Sequence, residues 1–175
     1  NQKQQKSWQQ NGQFQNGVHT RDGKEFVAPC HGLDDDFFAL FDIPLREGRD
    51  FARTDTASSE RVAIVSQDLA DAYYGGHAVG QTIEVEGSGD ISWPLRIVGV
   101  AGDTWQRGAL QPKQPVLYVP LAQVTAQQME IFRNLEPLRF ALRGHGKPMD
   151  WQAGVRQALT EGAPEQPIAN LRDMR

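Results

Sequence analysis

Cysteine is nearly absent from this chain. Cys30 stands alone among 175 residues, and a lone thiol cannot close a disulfide within the chain. Stability must then come from a packed core, and the length suffices for one domain or two small interlocked ones. Long hydrophobic runs are missing as well. The longest, Val62–Val65 and Ile97–Ala101, fall far short of the roughly 20 apolar residues a membrane helix needs. The Gln-rich start up to Asn11 contains no apolar core of a signal peptide; the abrupt start and end suggest a segment excised from something longer. Charge of one sign is also lacking. Eighteen Lys and Arg face 22 Asp and Glu, for a net charge of −4. No basic cluster lines one face, which argues against nucleic acid as a partner, and no basic amphipathic stretch suits anionic lipid. Apolar residues at 39% and aromatics at 9% still place the middle and C-terminal parts among folded sequences.

The elements of a catalytic site are equally hard to find. Gly144–Pro148 is the nearest approach to a P-loop, but it lacks the spacing and the hydroxyl residue that holds magnesium, and a proline offers no backbone N–H to a phosphate. His19, His31, His77 and His145 include no pair at the i, i+4 spacing of a helical zinc site. Cys30 and His31 are adjacent, and on a strand they point to opposite faces. Asp34, Asp35 and Asp36 could bind a metal, but they read better as the acidic start of a short helix. Ser66 sits between a strand and a helix, as a hydrolase nucleophile would, without the Gly-x-Ser-x-Gly elbow; a helix cap is the simpler role. Gly99–Asp103 follows a strand but is not a full Gly-x-Gly-x-x-Gly. No residue is assigned a catalytic, cofactor-binding or metal-ligating role, and no cofactor is expected.

What is present is a series of short elements. Residues 1–16 are polar and predicted to fray. Val18–Lys24 and Glu25–Cys30 form a candidate hairpin around Asp22–Gly23. A short helix is expected over Phe37–Phe41, and Ile43–Phe51 carries Pro and Gly breakers. Arg61–Ser66 is a β-branched run that suits a buried strand. Ser66 then caps a helix through Tyr73, which Gly75–Gly76 ends. Strands are predicted at Gln81–Glu86, Leu95–Val100 and Val116–Val119, partial helix over Leu121–Asn134, and a strand at Arg139–Arg143. A helix over Asp150–Glu161 places Trp151, Val155 and Leu159 on one apolar stripe, and a short strand closes the chain at Pro167–Leu171. The order is α+β rather than a doubly wound sheet.

Several of these segments, in this order, resemble the MacB-like periplasmic core domain of FtsX-like ABC transporter permeases. The resemblance covers roughly residues 26–175. It rests on Asp36-Phe-Phe-Ala-Leu-Phe-Asp-Ile-Pro-Leu-Arg-Glu-Gly-Arg-Asp-Phe51, a Phe-rich short helix followed by Gly-Arg-x-Phe, with Asp55 where the family often has an acidic residue. It continues through Val62–Ala70, Gly80–Ile83, Arg96–Asp103, Val116–Leu121, Phe140–Arg143 and the helix at Asp150–Glu161 followed by Ala163–Pro164. Two stretches depart from the family. The part before Val18 is short and Gln-rich where a strand and helix usually stand, and Gln106–Leu110 keeps only the basic-Gly-apolar flavour. The resemblance implies two interlocked subdomains: a porter-like β-α-β module from residues 1–33 and 137–175, and an inserted mixed β/α part over 34–136. It implies a place on the periplasmic face of the bacterial inner membrane, and a role in transmitting cytoplasmic ATP hydrolysis to periplasmic movement rather than in catalysis. The implied partners are the protein's own transmembrane helices, a second permease subunit, the cytoplasmic ATPase indirectly and, in some members, a periplasmic adaptor. The alternatives are a free-standing periplasmic binding module for a small molecule or peptide, and a small hydrolase using Ser66 or Cys30.

Overall fold

A computed structural model describes residues 8–10, 13–20, 22–86, 92–103, 114–126, 128–129 and 141–162. The chain divides into two compact units, Asn1–Arg139 and Phe140–Arg175.

The first unit is built on eight strands: β1 (Trp8–Gln10), β2 (Gln13–Thr20), β3 (Glu25–Leu33), β4 (Leu45–Gly48), β5 (Val62–Ser66), β6 (Thr82–Glu86), β7 (Ser92–Ala101) and β8 (Leu117–Pro120). Six of them form a closed circuit. β2 pairs antiparallel with β3, β3 runs parallel to β8, β8 antiparallel to β5, and β5 parallel to β7. β6 pairs antiparallel with β7 along Ser92–Arg96 and also with β2 along Val18–Thr20, which closes the ring. β1 hangs on β2 and β4 on β7 beyond the ring. The mixed sheet with few helices is an α+β architecture.

The ring follows from the sequence through side-chain alternation. Within β5, Ala63 and Val65 enter one buried cluster with Val18, Ile83, Leu95, Ile97 and Leu117, whereas Val62 and Ile64 enter another with Phe38, Phe51 and Tyr118. All five β5 residues are buried, as a continuous β-branched run requires. The first cluster fills the interior and is closed by Leu69 and Ala70 of α2 (Gln67–Tyr74). The second lies outside, under α1 (Phe37–Leu40), where Phe38 meets Tyr118 edge-on at 5.2 Å. Burying one such ring contributes about 1.5–3 kcal/mol.

The first hairpin forms as expected. Gly23 takes φ +83°, which glycine adopts without strain, and Gly23 N–H donates to Thr20 O. Other expectations change. Gln13–Asn16, predicted to fray, belong to β2, and Trp8–Gln10 pairs against them. Leu45–Gly48, read only as a breaker segment, is a strand whose register shifts at a bulge between Leu45 and Glu47. β7 starts at Ser92 rather than Leu95. Pro94 lies where β6 is paired and β5 has not begun, an edge where a missing N–H costs nothing. In place of a helix from Leu121 there is a single 3₁₀ turn, Leu121–Gln123, followed by helical residues at 126 and 128–129; Ile131 and Phe132 lie outside the described residues.

In the second unit, α3 (Pro148–Gly162) begins on a proline, which the first helical position accepts. Trp151, Val155 and Leu159 are half-buried, while Arg156, Gln157, Ala158 and Thr160 are exposed, so the predicted stripe marks the less exposed face. A Cβ on Gly144 would run into the Trp151 ring, so any larger residue there displaces that ring. Ala141–Arg143, expected in a strand, is irregular, and Leu142 is 67% exposed. Arg139, Phe140 and Pro167–Leu171 lie outside the described residues.

Candidate functional site

Ser66 is not placed as a nucleophile. It is 1% exposed, and its Oγ accepts from Leu69 N–H at 3.3 Å and Val116 N–H at 3.0 Å. The first bond caps α2, as the sequence suggested; the second ties the helix start to the entry of β8. Asp103, at the end of the Gly99–Asp103 segment, adds a further bond, its carboxylate accepting from Asp68 N–H at 2.9 Å. That segment makes a close backbone approach rather than a phosphate cradle. A Cβ on Gly99 would sit 2.5 Å from Arg49 O, and one on Gly102 would sit 3.1 Å from the Pro44 ring.

Cys30 packs against the interior cluster, and burial pushes its thiol up to about 12, opposite in direction to an activated nucleophile. His31 lies 6.2 Å from the Tyr118 ring. Alternation along β3 separates the two side chains. The three acidic residues do not cap α1 through their side chains: Asp36 makes no capping bond, Asp34 accepts from Asp35 N–H, and Asp35 lies 3.7 Å from Arg53. Asp50 is nearby, and burial, with the charges of Asp35 and Asp36, raises its carboxyl above its ordinary value. Among the described residues, no three His, Cys, Asp or Glu side chains converge as metal ligands do. Gly144–Lys147 is irregular chain leading to Pro148 at the start of α3.

The densest polar cluster is one that the sequence marked only in part, through Gly-Arg-x-Phe and Asp55. It straps the segment 49–60 over the outer core. Arg49 clamps Asp55 through two bonds of 2.7 and 2.8 Å, and Ala52 N–H donates to the same carboxylate at 2.9 Å. Asp55 is buried, and the guanidinium holds its carboxyl below the usual range. Next to it lies Gln123, 8% exposed. Its Oε1 accepts from Val62 N–H at 2.9 Å, and its Nε2 donates to Glu60 O at 2.8 Å, Ser59 Oγ at 3.0 Å and Thr56 O at 3.2 Å. The clamp also explains Gly-Arg-x-Phe. Gly48 has φ +74°, and a Cβ there would lie 2.1 Å from Val98 O; Arg49 pairs; Phe51 is buried in the outer core. Asp55 was visible only as an acidic position of the resembled family. Gln123 gave no signal, because its partners, three main-chain groups and the Ser59 hydroxyl, lie about 60 residues away.

This arrangement offers rigid packing and satisfied hydrogen bonds rather than a nucleophile with a base beside it. Comparisons with known proteins agree. The family model described as MacB-like periplasmic core domain matches residues 8–156. A Bacillus subtilis protein described as an uncharacterized ABC transporter permease, YvrN, is 32% identical over 94 residues, which cover 51% of this chain and 22% of the relative. Among solved structures, the periplasmic region of MacB from Actinobacillus actinomycetemcomitans is similar with a TM-score of 0.60 at 17% identity, covering 84% of this chain and 62% of that one. A domain of a putative permease protein from Porphyromonas gingivalis gives 0.55 at 16% identity, covering 84% and 65%. At these identities the two structures speak to the fold alone. The chain thus spans about a fifth of the curated relative and less than two thirds of either solved chain.

Proposed function

The chain belongs to the MacB-like periplasmic core domain family, a component of ABC transporter permeases rather than a class of enzymes, and we propose that it couples ATP hydrolysis in the cytoplasm to movement outside the membrane. In this reading the domain stands on the outer face of the bacterial inner membrane, carried by its own transmembrane helices beside a second permease subunit. It answers the ATPase only indirectly and offers its surface to a substrate or a periplasmic adaptor. No side chain carries a covalent or redox step.

The observation that supports this most is the closed ring with its strap. A strand in a ring cannot slide without breaking its pairings on both sides, and the interior is filled by close-packed side chains. A displacement applied at one strand is therefore passed on by the whole body. Within the same reading, residues 1–33 with 137–175 make the porter-like module and 34–136 the inserted part. The β3–β8 and β2–β6 pairings cross that boundary, so the two parts share a sheet and move as one where they join.

The test uses the full-length permease with Cys30→Ala and a cysteine at exposed Ser58. A membrane-impermeant maleimide should label Ser58→Cys in intact spheroplasts; labelling only after lysis would refute the location. Spin labels at the same site on two copies should change separation between nucleotide-free and ATP-trapped states. An unchanged distance distribution would refute the coupling.

A further inference from the structure

At one end of the ring, β7 runs on past β5. β5 pairs with β7 only from Arg96 onward, whereas β6 follows it back to Ser92. Alternation puts Trp93 on the same face as Leu95 and Ile97, and Arg61 on the same face as Ala63 and Val65. Both side chains thus continue the interior face out to the mouth, where the Arg61 guanidinium lies 5.9 Å from the Trp93 ring centre. An open cleft of about 450 Å³ runs along this edge, lined by Arg61, Trp93, Pro94, Leu95, Arg96 and Glu60. Mouths of β-barrels are recurrent sites for small ligands, and this volume is in the usual range.

The charges are arranged for an anion. Arg61 makes no ion pair among the described residues; its contact is the indole. Arg96 reaches Glu60 at 3.5 Å, with the two side chains 55% and 65% exposed. Exposed pairs of this kind hold weakly, and this one occupies Glu60 rather than Arg61. Thr82 completes the lining beside the Trp93 ring.

We propose that this cleft binds a small amphipathic carboxylate, its head on the Arg61 guanidinium and its apolar body along the half-buried Trp93 ring. A guanidinium within cation–π reach of an aromatic ring still has its donor fork available for two parallel bonds to a carboxylate. The inference does not depend on the coupling role above.

Calorimetric titration of the 175-residue chain with decanoate tests it. Submillimolar one-to-one binding is expected, weakened about tenfold or more by Arg61→Gln and by Trp93→Ala, and unaffected by Leu142→Ala, an exposed residue of the other unit. Decanol should bind more weakly than decanoate, and decyltrimethylammonium should not bind. Thermal melts check that each variant folds. If Arg61→Gln does not fold, Arg61→Lys keeps the charge without the fork and should bind less tightly than the native chain. Absence of heat up to about 10 mM, equal binding of the cationic amphiphile, or decanoate affinity untouched by the Arg61 variants would overturn the proposal.

Discussion

Gln123→Ala is expected to be among the most damaging single changes outside the ring interior. The buried Val62 N–H loses its acceptor, and a buried donor left unsatisfied costs about 1–3 kcal/mol. The lost methylene adds about 0.8 kcal/mol. The carbonyls of Thr56 and Glu60 and the Ser59 hydroxyl belong to an exposed segment and can turn to water, so they add little. The total is about 2–4 kcal/mol. Urea denaturation reads this as a shift in midpoint at unchanged slope; with a slope of about 2 kcal/mol per molar, the shift is about 1–2 M. Gln123→Met keeps the volume and removes every hydrogen bond, which separates packing from polarity. It should still lose most of the stability. A Gln123→Met midpoint within about 0.2 M of the native chain would refute the reasoning, because that would leave the four bonds contributing nothing.

Three further outcomes follow from the same contacts. Gly99→Ala drives a methyl into Arg49 O and should cost about 1–3 kcal/mol, lowering Tm by roughly 3–10 °C; an unchanged melt would show that β4 and β7 can separate freely. Asp55 has a depressed native carboxyl against an ordinary value of 3.8, so its stabilisation is complete above that value and is lost as pH falls through the lower native one. Denaturation of native and Asp55→Asn proteins should therefore differ at pH 7 and converge only once the pH falls below the lowered native value; a gap that stays constant as the pH falls contradicts the clamp. Cys30, pushed up to about 12, should react with a thiol reagent at pH 8 far more slowly in the folded protein than in denaturant, and equal rates would place it at the surface.

Periodic segments were legible in the sequence, and long-range pairings were not. Val62–Ser66 announced itself by five consecutive strand-forming or capping residues, and Trp151, Val155 and Leu159 by helical spacing, because both signals are local. Ser66 was identifiable as a cap for the same reason. The ring was invisible: nothing in Val18 names Val85 as its partner, and register is set by which faces become buried once all the strands meet. The Arg49–Asp55 clamp lay between these cases. Gly48 and Phe51 marked the site, while the pairing depended on a loop path that composition does not encode. Gln123 was read into a helix because Gln and Ala suit helices, but burying its amide among main-chain groups outweighed that weak preference.

The ring also fixes the order of events during synthesis. Cys30 pairs with Leu117, about 90 residues later, which at ribosomal rates is roughly 5–20 s of elongation. Until β8 emerges, one edge of β3 has no native neighbour, and until β6 emerges the Val18–Thr20 end of β2 lacks its own. Pairings between distant segments form slowly, and unpaired strand edges are templates for aggregation. The first two long strands form a hairpin early and then wait. A holding chaperone would therefore matter most in this interval, and substitutions that slow β8 should lower the yield of soluble protein more than they lower the stability of what does fold.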